Sequence, residues 1–170
     1  KNNKPTYVYH KNLEFHTDFT YHKQNQIVDF KETTVAIEGA EFDMNGKIDV
    51  NDEMNVNLNF SGKKPNFDLL IAFAPEDLIP TLKSYDNKGE IYFDAQIKGN
   101  TANTQTHAIN ANFCCKNGYI KNSEANKVID KLGFQCTFTN GSQRNASTSV
   151  FNLKDFGARP EAGKFKANLT

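Results

Sequence analysis

Three cysteines, four histidines and a few clustered carboxylates are the side chains of this 170-residue chain able to carry covalent, metal or acid–base chemistry. Cys114, Cys115 and Cys136 offer no CxxC pair for zinc and cannot complete a disulfide framework. Adjacent side chains of an extended strand leave on opposite faces, so Cys114 and Cys115 are poorly placed to bond each other. Alternation sets Cys115 beside Phe113, and Cys136 beside Phe134 and Phe138, on an apolar side. The expectation is two small buried hydrophobes and one outward thiol, Cys114. A Cys115–Cys136 disulfide is the sharper alternative, and it requires that their strands be neighbours. His10, His16 and His22 share one parity, opposite to Leu13, Phe15, Phe19 and Tyr21, which makes them a solvated face. Positions six apart on a strand stand about 20 Å from each other, too far to share a metal. His107 lies in a polar stretch with no serine or cysteine arrangement of a triad. Glu76 and Asp77 suit the start of a helix. Asp49, Asn51, Asp52 and Glu53 lack the glycine and the terminal glutamate of a known calcium loop. There is no nucleophile elbow, HExxH, P-loop or Rossmann glycine pattern. A non-enzymatic protein is expected, with no metal and no cofactor.

The elements that hold these residues follow from composition and period. Twenty basic residues balance twenty acidic ones, for a net charge of +0, and this excludes a generally basic nucleic-acid binder. It also argues against a surface built to hold anionic headgroups. Hydrophobic residues are only 38%, yet Phe alone contributes 14, so the apolar content is concentrated in large side chains at chosen positions, unlike a disordered chain. No apolar run approaches the ~18 residues of a membrane span. With Lys1 in first place and no signal peptide, the chain is expected to be one piece, 1–170, of a longer β-rich protein whose membrane anchor lies elsewhere.

The dominant period is two. Leu13, Phe15, Thr17, Phe19 and Tyr21 alternate with polar residues. A short segment near Ile27 to Phe30 follows, then Val35 with Ile37, Phe42 with Met44, and Ile48 with Val50 up to an Asn51-Asp52 turn. Met54, Val56, Leu58 and Phe60 alternate with Asn55, Asn57 and Asn59. After Pro65-Asn66, the residues Phe67, Leu69, Ile71 and Phe73 are expected to form another strand. Gly39, Gly46 and Gly62 are expected at strand ends. Pro75 to Tyr85 departs from the period: Leu78, Ile79, Leu82 and Tyr85 fall at helical spacing, so a short helix near 75–86 is expected to lie over an apolar surface as a plug or lid. Its Pro80 should keep it short or distorted. Ile91, Phe93, Ala95 and Ile97, then Ile109, Ala111, Phe113 and Cys115, resume the alternation. Asn117-Gly118 is expected as a turn. Residues 123–131 are expected to form a second helical or irregular piece. Phe134, Cys136 and Phe138 precede an Asn140-Gly141 hairpin. The return strand carries Ser147, Ser149, Phe151 and Leu153, and Phe165, Ala167 and Leu169 close the pattern.

The expected fold class is mainly β: long antiparallel meandering strands forming a curved sheet or open groove. Strands with one apolar face and so little helix must meet a second sheet or curl around something apolar. In a sandwich the apolar faces make an ordinary core. In a groove they accept acyl chains. The candidate lining is Val56, Leu58, Phe60, Leu69, Ile71, Phe73, Ile91, Phe93, Ile97, Ile109, Phe113, Phe134 and Phe138.

Three stretches carry a family resemblance. The first is Phe30-Lys31-Glu32-Thr33-Thr34-Val35-Ala36-Ile37-Glu38-Gly39-Ala40-Glu41-Phe42, running into Asn45-Gly46-Lys47-Ile48-Asp49. The second is Phe67-Asp68-Leu69-Leu70-Ile71-Ala72-Phe73-Ala74-Pro75-Glu76-Asp77-Leu78, followed by Gly89-Glu90-Ile91-Tyr92-Phe93-Asp94-Ala95-Gln96-Ile97-Lys98-Gly99. The third links Ile109-Asn110-Ala111-Asn112-Phe113 to Asn117-Gly118-Tyr119-Ile120, Leu132-Gly133-Phe134 and Phe138-Thr139-Asn140-Gly141. Together they resemble the AsmA-like family of bacterial envelope proteins in its Bacteroidota form, over a core of 30–141. The resemblance implies a periplasmic segment of a membrane-anchored parent, in which repeated curved sheets stack into an apolar-lined groove and edge strands are available to pair with neighbouring repeats. It implies phospholipid or fatty acyl chains as partners and a part in outer-membrane biogenesis, with no catalytic residues to carry over. The competing expectation is a structural or protein-binding β-sandwich, adhesin-like, that recruits partners by strand addition.

Overall fold

The computed structural model describes residues 11–51, 54–64, 66–72, 74, 78–100, 106–160 and 163–169. They form one nine-stranded antiparallel sheet in which every strand pairs only with its sequence neighbours. The strands are β1 (Leu13–His22), β2 (Ile27–Ile37), β3 (Ala40–Asp49), β4 (Asn55–Lys64), β5 (Asp86–Asn100), β6 (Ala108–Asn122), β7 (Lys127–Thr139), β8 (Val150–Pro160) and β9 (Phe165–Leu169). Two short helices, α1 (Asp68–Ile71) and α2 (Ile79–Lys83), interrupt the meander between β4 and β5. The sheet is open, with β1 and β9 at its edges.

Turn chemistry explains the meander. Glu38 and Gly39 both take positive φ, 52° and 81°, as a two-residue hairpin between right-twisted strands requires. Irregularities in pairing fall at Gly89 in β5, at Asn117 in β6, near Lys131 in β7 and near Asp155 in β8. Asn117, Lys131 and Asp155 stand at φ 52°, 52° and 51°, so these bulges form a crease through successive strands. A bulge bends its strand and increases the local twist, and a row of them curls the sheet.

Several expectations are corrected. Phe67, Leu69 and Ile71 do not extend the sheet: Asp68–Ile71 is α1, and Phe73 lies outside the described residues. The reason is visible in Leu70 and Ala72, which put apolar groups on the parity a half-buried strand would leave polar. Asn66 and Asn87 shape the entry, with Asn66 Oδ1 accepting from Asp68 N–H (3.2 Å) and Asn87 Oδ1 from Phe67 N–H (2.8 Å). The later helix is only Ile79–Lys83, because Pro80 is tolerated in a first turn and nowhere deeper. Residues 75–77 of the expected helix lie outside the described residues. Residues 123–131 are a turn and the start of β7, not a helix: Ile129 pairs with Ile120 and Val128 with Lys121. Asn117-Gly118 is a bulge inside β6, not a turn, and Gly46 and Gly62 sit within β3 and β4, not at their ends. Ile27 to Ile37 is one strand with an irregularity between Phe30 and Thr33. Ser147 belongs to a 3-10 turn, Ala146–Thr148, capped by Asn145, whose Oδ1 accepts from Ser147 N–H (3.0 Å) and Thr148 N–H (3.2 Å).

The core sits where the helical segment covers one end of the sheet. Phe67, Leu69, Ile71, Ala72 and Ile79 pack with Phe42, Ile91 and Phe93 of the strands, and Leu69 and Ile91 are fully buried. Burying a side chain of this size contributes about 1.5–3 kcal/mol, which offsets the weak intrinsic helicity of four- and five-residue helices. At the far side of this cap, Lys11 Nζ donates to the Ala74 carbonyl at 2.7 Å. No helix among the described residues is long and apolar enough to cross a membrane.

Candidate functional site

The apolar side chains join into rows that run across the strands. One row is Thr33, Met44, Phe60, Ala95, Ala111, Phe138 and Phe151, each opposite the next. A second passes Gly62, Phe93, Phe113, Cys136 and Leu153, and a third Gly46, Leu58, Ile97 and Ile109. Val56 meets Gly99 beyond them. Ile91, Cys115 and Phe134 form a fourth row at the capped end. The strand residues Val56, Leu58, Phe60, Ile91, Phe93, Ile97, Ile109, Phe113, Phe134 and Phe138 therefore share one face of the sheet, as strict alternation requires.

Leu69 and Ile71 are the exceptions among the described lining candidates. They come from α1, cover the face rather than belonging to it, and fill the end where Phe42 and Phe93 meet edge to face at 5.2 Å. Phe113 packs against Phe93 with the rings tilted and their centroids 5.0 Å apart, so the middle of the face is already occupied by rings. The opposite end differs. Val56, Leu58, Ile97 and Ile109 are half-buried and stand outside the buried cluster that the helical segment forms with Phe42, Ile91 and Phe93. They shield one another along the bent sheet and leave their outer sides uncovered. Beside the helices, an apolar cleft of about 290 Å³ is lined by Phe67, Leu70, Ile71, Leu82, Tyr85, Asn87 and Ile120.

Phe42, Met44 and Ala111 belong to the same face and were absent from the candidate lining. Their alternation with Glu41, Asp43 and Asn112 was the available signal. Leu70, Leu82 and Ile120, which shape the cleft, had no signal of this kind because their proximity depends on how the helices fold back.

The opposite face is polar and internally bonded. Asn59 accepts from Gln96 (2.8 Å) and donates to Asn45 (3.2 Å), and Asn112 donates to Asp94 (2.9 Å). Tyr92 O–H donates to Glu90 at 2.8 Å, and the Lys63 and Lys116 ammonium groups lie over the Tyr92 ring at 5.1 and 5.5 Å. That phenol, aided by the lysines, lowers the Glu90 pKa from its ordinary value.

The reactive residue types are dispersed. All three cysteines are free. Cys115 faces Phe134 and Cys136 faces Phe113, so the two thiols sit on adjacent strands but on a diagonal, and the disulfide alternative is not realised. Burial pushes the Cys115 thiol up to about 11, with neighbouring Cys114 adding to it, while the backbone at Gly118 partly opposes the shift. Burial raises Cys136 as well. His16 and His22 are exposed, as is every residue of β1, and His10 lies outside the described residues. His107 Nε2 is buried without a hydrogen-bond partner among the described residues. Asn51 bonds the Asp49 carboxylate through both its backbone N–H and its side chain, while Asp52 and Glu53 lie outside the described residues. Among the described residues no three His, Cys, Asp or Glu side chains converge as metal ligands would.

The chain matches no protein-family model, no curated protein and no solved structure.

Proposed function

We propose that this chain is a non-enzymatic lipid-handling segment whose apolar sheet face shields acyl chains. The single observation behind this reading is the run of rows ending at Leu58, Ile97 and Ile109. It is a wide apolar surface on an open sheet, capped among the described residues by helices at one end only. Hydrophobic attraction is non-directional, so an acyl chain can lie on such a surface and slide without a specific partner for each methylene. Headgroups would stay at the uncapped end, near the polar residues Asn55, which opens β4, and Asn100, which ends β5. The resemblance to AsmA-like envelope proteins supports the same reading. It adds a periplasmic setting, a membrane-anchored parent and a part in outer-membrane biogenesis.

The test is direct. The delipidated chain should bind a fluorescent fatty-acid probe, and Ile97→Asp should weaken that binding at least tenfold while circular dichroism reports an intact sheet. Lys88→Asp, on the other face, should leave binding unchanged. An intact fold that takes up no probe and carries no phospholipid in native mass spectrometry would remove the proposal.

A further inference from the structure

The edge strand β1 has a composition that edges of soluble sheets avoid. Natural edges are blunted by Lys, Pro, bulges or shortness, because an unpaired row of N–H and C=O groups templates pairing with another chain. The other edge, β9, obeys this: it is five residues long and follows Lys164 and carries Lys166. In contrast, β1 runs for ten residues without Lys, Pro or Gly, and the irregularity in its pairing with β2, between Asp18 and Phe19, places its extra residue in β2 and not in β1. Its apolar side chains are exposed, Phe15 by 55% and Phe19 by 60%.

Across the ladder to β2 its polar side chains meet no opposite charge. Asp18 stands directly opposite Glu32, a like-charge pair that destabilises a ladder, and His16 stands opposite Thr34. Neither Asp18 nor His16 makes an ion pair among the described residues. The backbone direction follows from Asn12, whose carbonyl accepts from Glu38 N–H of the β2–β3 turn at 3.0 Å. Backbone polarity alternates along an antiparallel strand, so Leu13, Phe15, Thr17, Phe19 and Tyr21 aim their N–H and C=O groups at the edge that no described strand occupies.

We propose that β1 pairs with β1 of a second copy of this chain, antiparallel about a two-fold axis at Thr17. In that register Phe15 faces the partner's Phe19, Leu13 faces the partner's Tyr21, and His16 faces the partner's Asp18. Shifting the axis by one residue either way, to residue 16 or 18, sets His16 against His16 or Asp18 against Asp18. The chosen register alone pairs each of these groups with its opposite and merges two apolar faces into one surface. A two-fold contact of this kind is self-complementary and closes at a dimer. It rests on the β1 edge alone, independently of the lipid reading.

The experiment is sedimentation velocity on the full chain at micromolar to submillimolar concentration. The expected result is a reversible dimer. His16→Asp sets a carboxylate opposite Asp18 twice per dimer and should weaken dimerisation about tenfold or more. Asp18→His should weaken it too, although it removes the clash with Glu32 within the chain. The double variant His16→Asp/Asp18→His exchanges the partners and should restore the dimer, which a fold defect would not allow. Phe165→Lys at the β9 edge should change nothing. A monomer throughout the range, an assembly larger than a dimer, a dimer indifferent to His16→Asp, or no recovery in the double variant would each overturn the proposal.

Discussion

A side-chain carbon on Gly62 would stand 3.1 Å from both methyl carbons of Leu69, and 3.4 Å from Cδ1 of Phe42. Leu69 thus occupies the space that a side chain at position 62 of β4 would fill, and the missing Cβ lets the helical cap seat on the sheet. Gly62→Val should push Leu69 off its site and cost about 1–3 kcal/mol, as overpacking of a filled core does. Urea unfolding should show a lower midpoint with an unchanged slope.

Leu69→Ala should cost about 2–5 kcal/mol, because the lost contacts of a fully buried leucine leave a cavity the short helices cannot close. The double variant Gly62→Val/Leu69→Ala should be more stable than the sum of the two single losses predicts, since the valine fills part of the space vacated. Simple additivity in the same unfolding assay would show that the two positions do not share one volume.

Asn140 is one of two buried polar residues among those described, and its side chain ties β6 to the β7–β8 connection. Its Oδ1 accepts from Ile109 N–H at 2.9 Å and its Nδ2 donates to the His107 carbonyl at 2.7 Å. Asn140→Asp keeps the acceptor but turns the donor into a second oxygen facing a carbonyl. A loss of about 1–3 kcal/mol is expected. Hydrogen exchange should show Ile109 losing protection before the strands at the capped end.

The Cys115 thiol supplies a pH-dependent prediction. Its folded pKa, about 11, lies above the ordinary 9.0, so the folded state holds this proton more tightly than the unfolded chain. The associated stability is complete below pH 9 and is lost as pH rises through the window up to about 11, by about 2–3 kcal/mol. Cys115→Ala should flatten that decline while lowering stability at neutral pH. In the wild type at neutral pH, iodoacetamide should label Cys114 well before Cys115 or Cys136, because burial shields the latter two from the reagent and lowers their thiolate fraction.

Much of this sheet is legible in the sequence because a half-buried strand writes its own face into every second residue. Val56, Leu58 and Phe60 against Asn55, Asn57 and Asn59 specify both the strand and its inner side. The same alternation places Cys115 and Cys136 inward. It fails at Leu69 and Ile71, where both parities are apolar, and at Asn117-Gly118, where turn chemistry serves a bulge inside a strand.

What the chain determined by itself is a set of strands with apolar faces and the presence of an interrupting segment, since these depend on neighbours along the backbone. Only the tertiary structure decided that the strands pair in simple order, that the cap fills one end of their common face, and that β1 is left as an edge. Those outcomes depend on long-range register and on which surfaces remain to be covered, and residues such as Gly62 and Leu69 carry no mark of each other until the chain has brought them together.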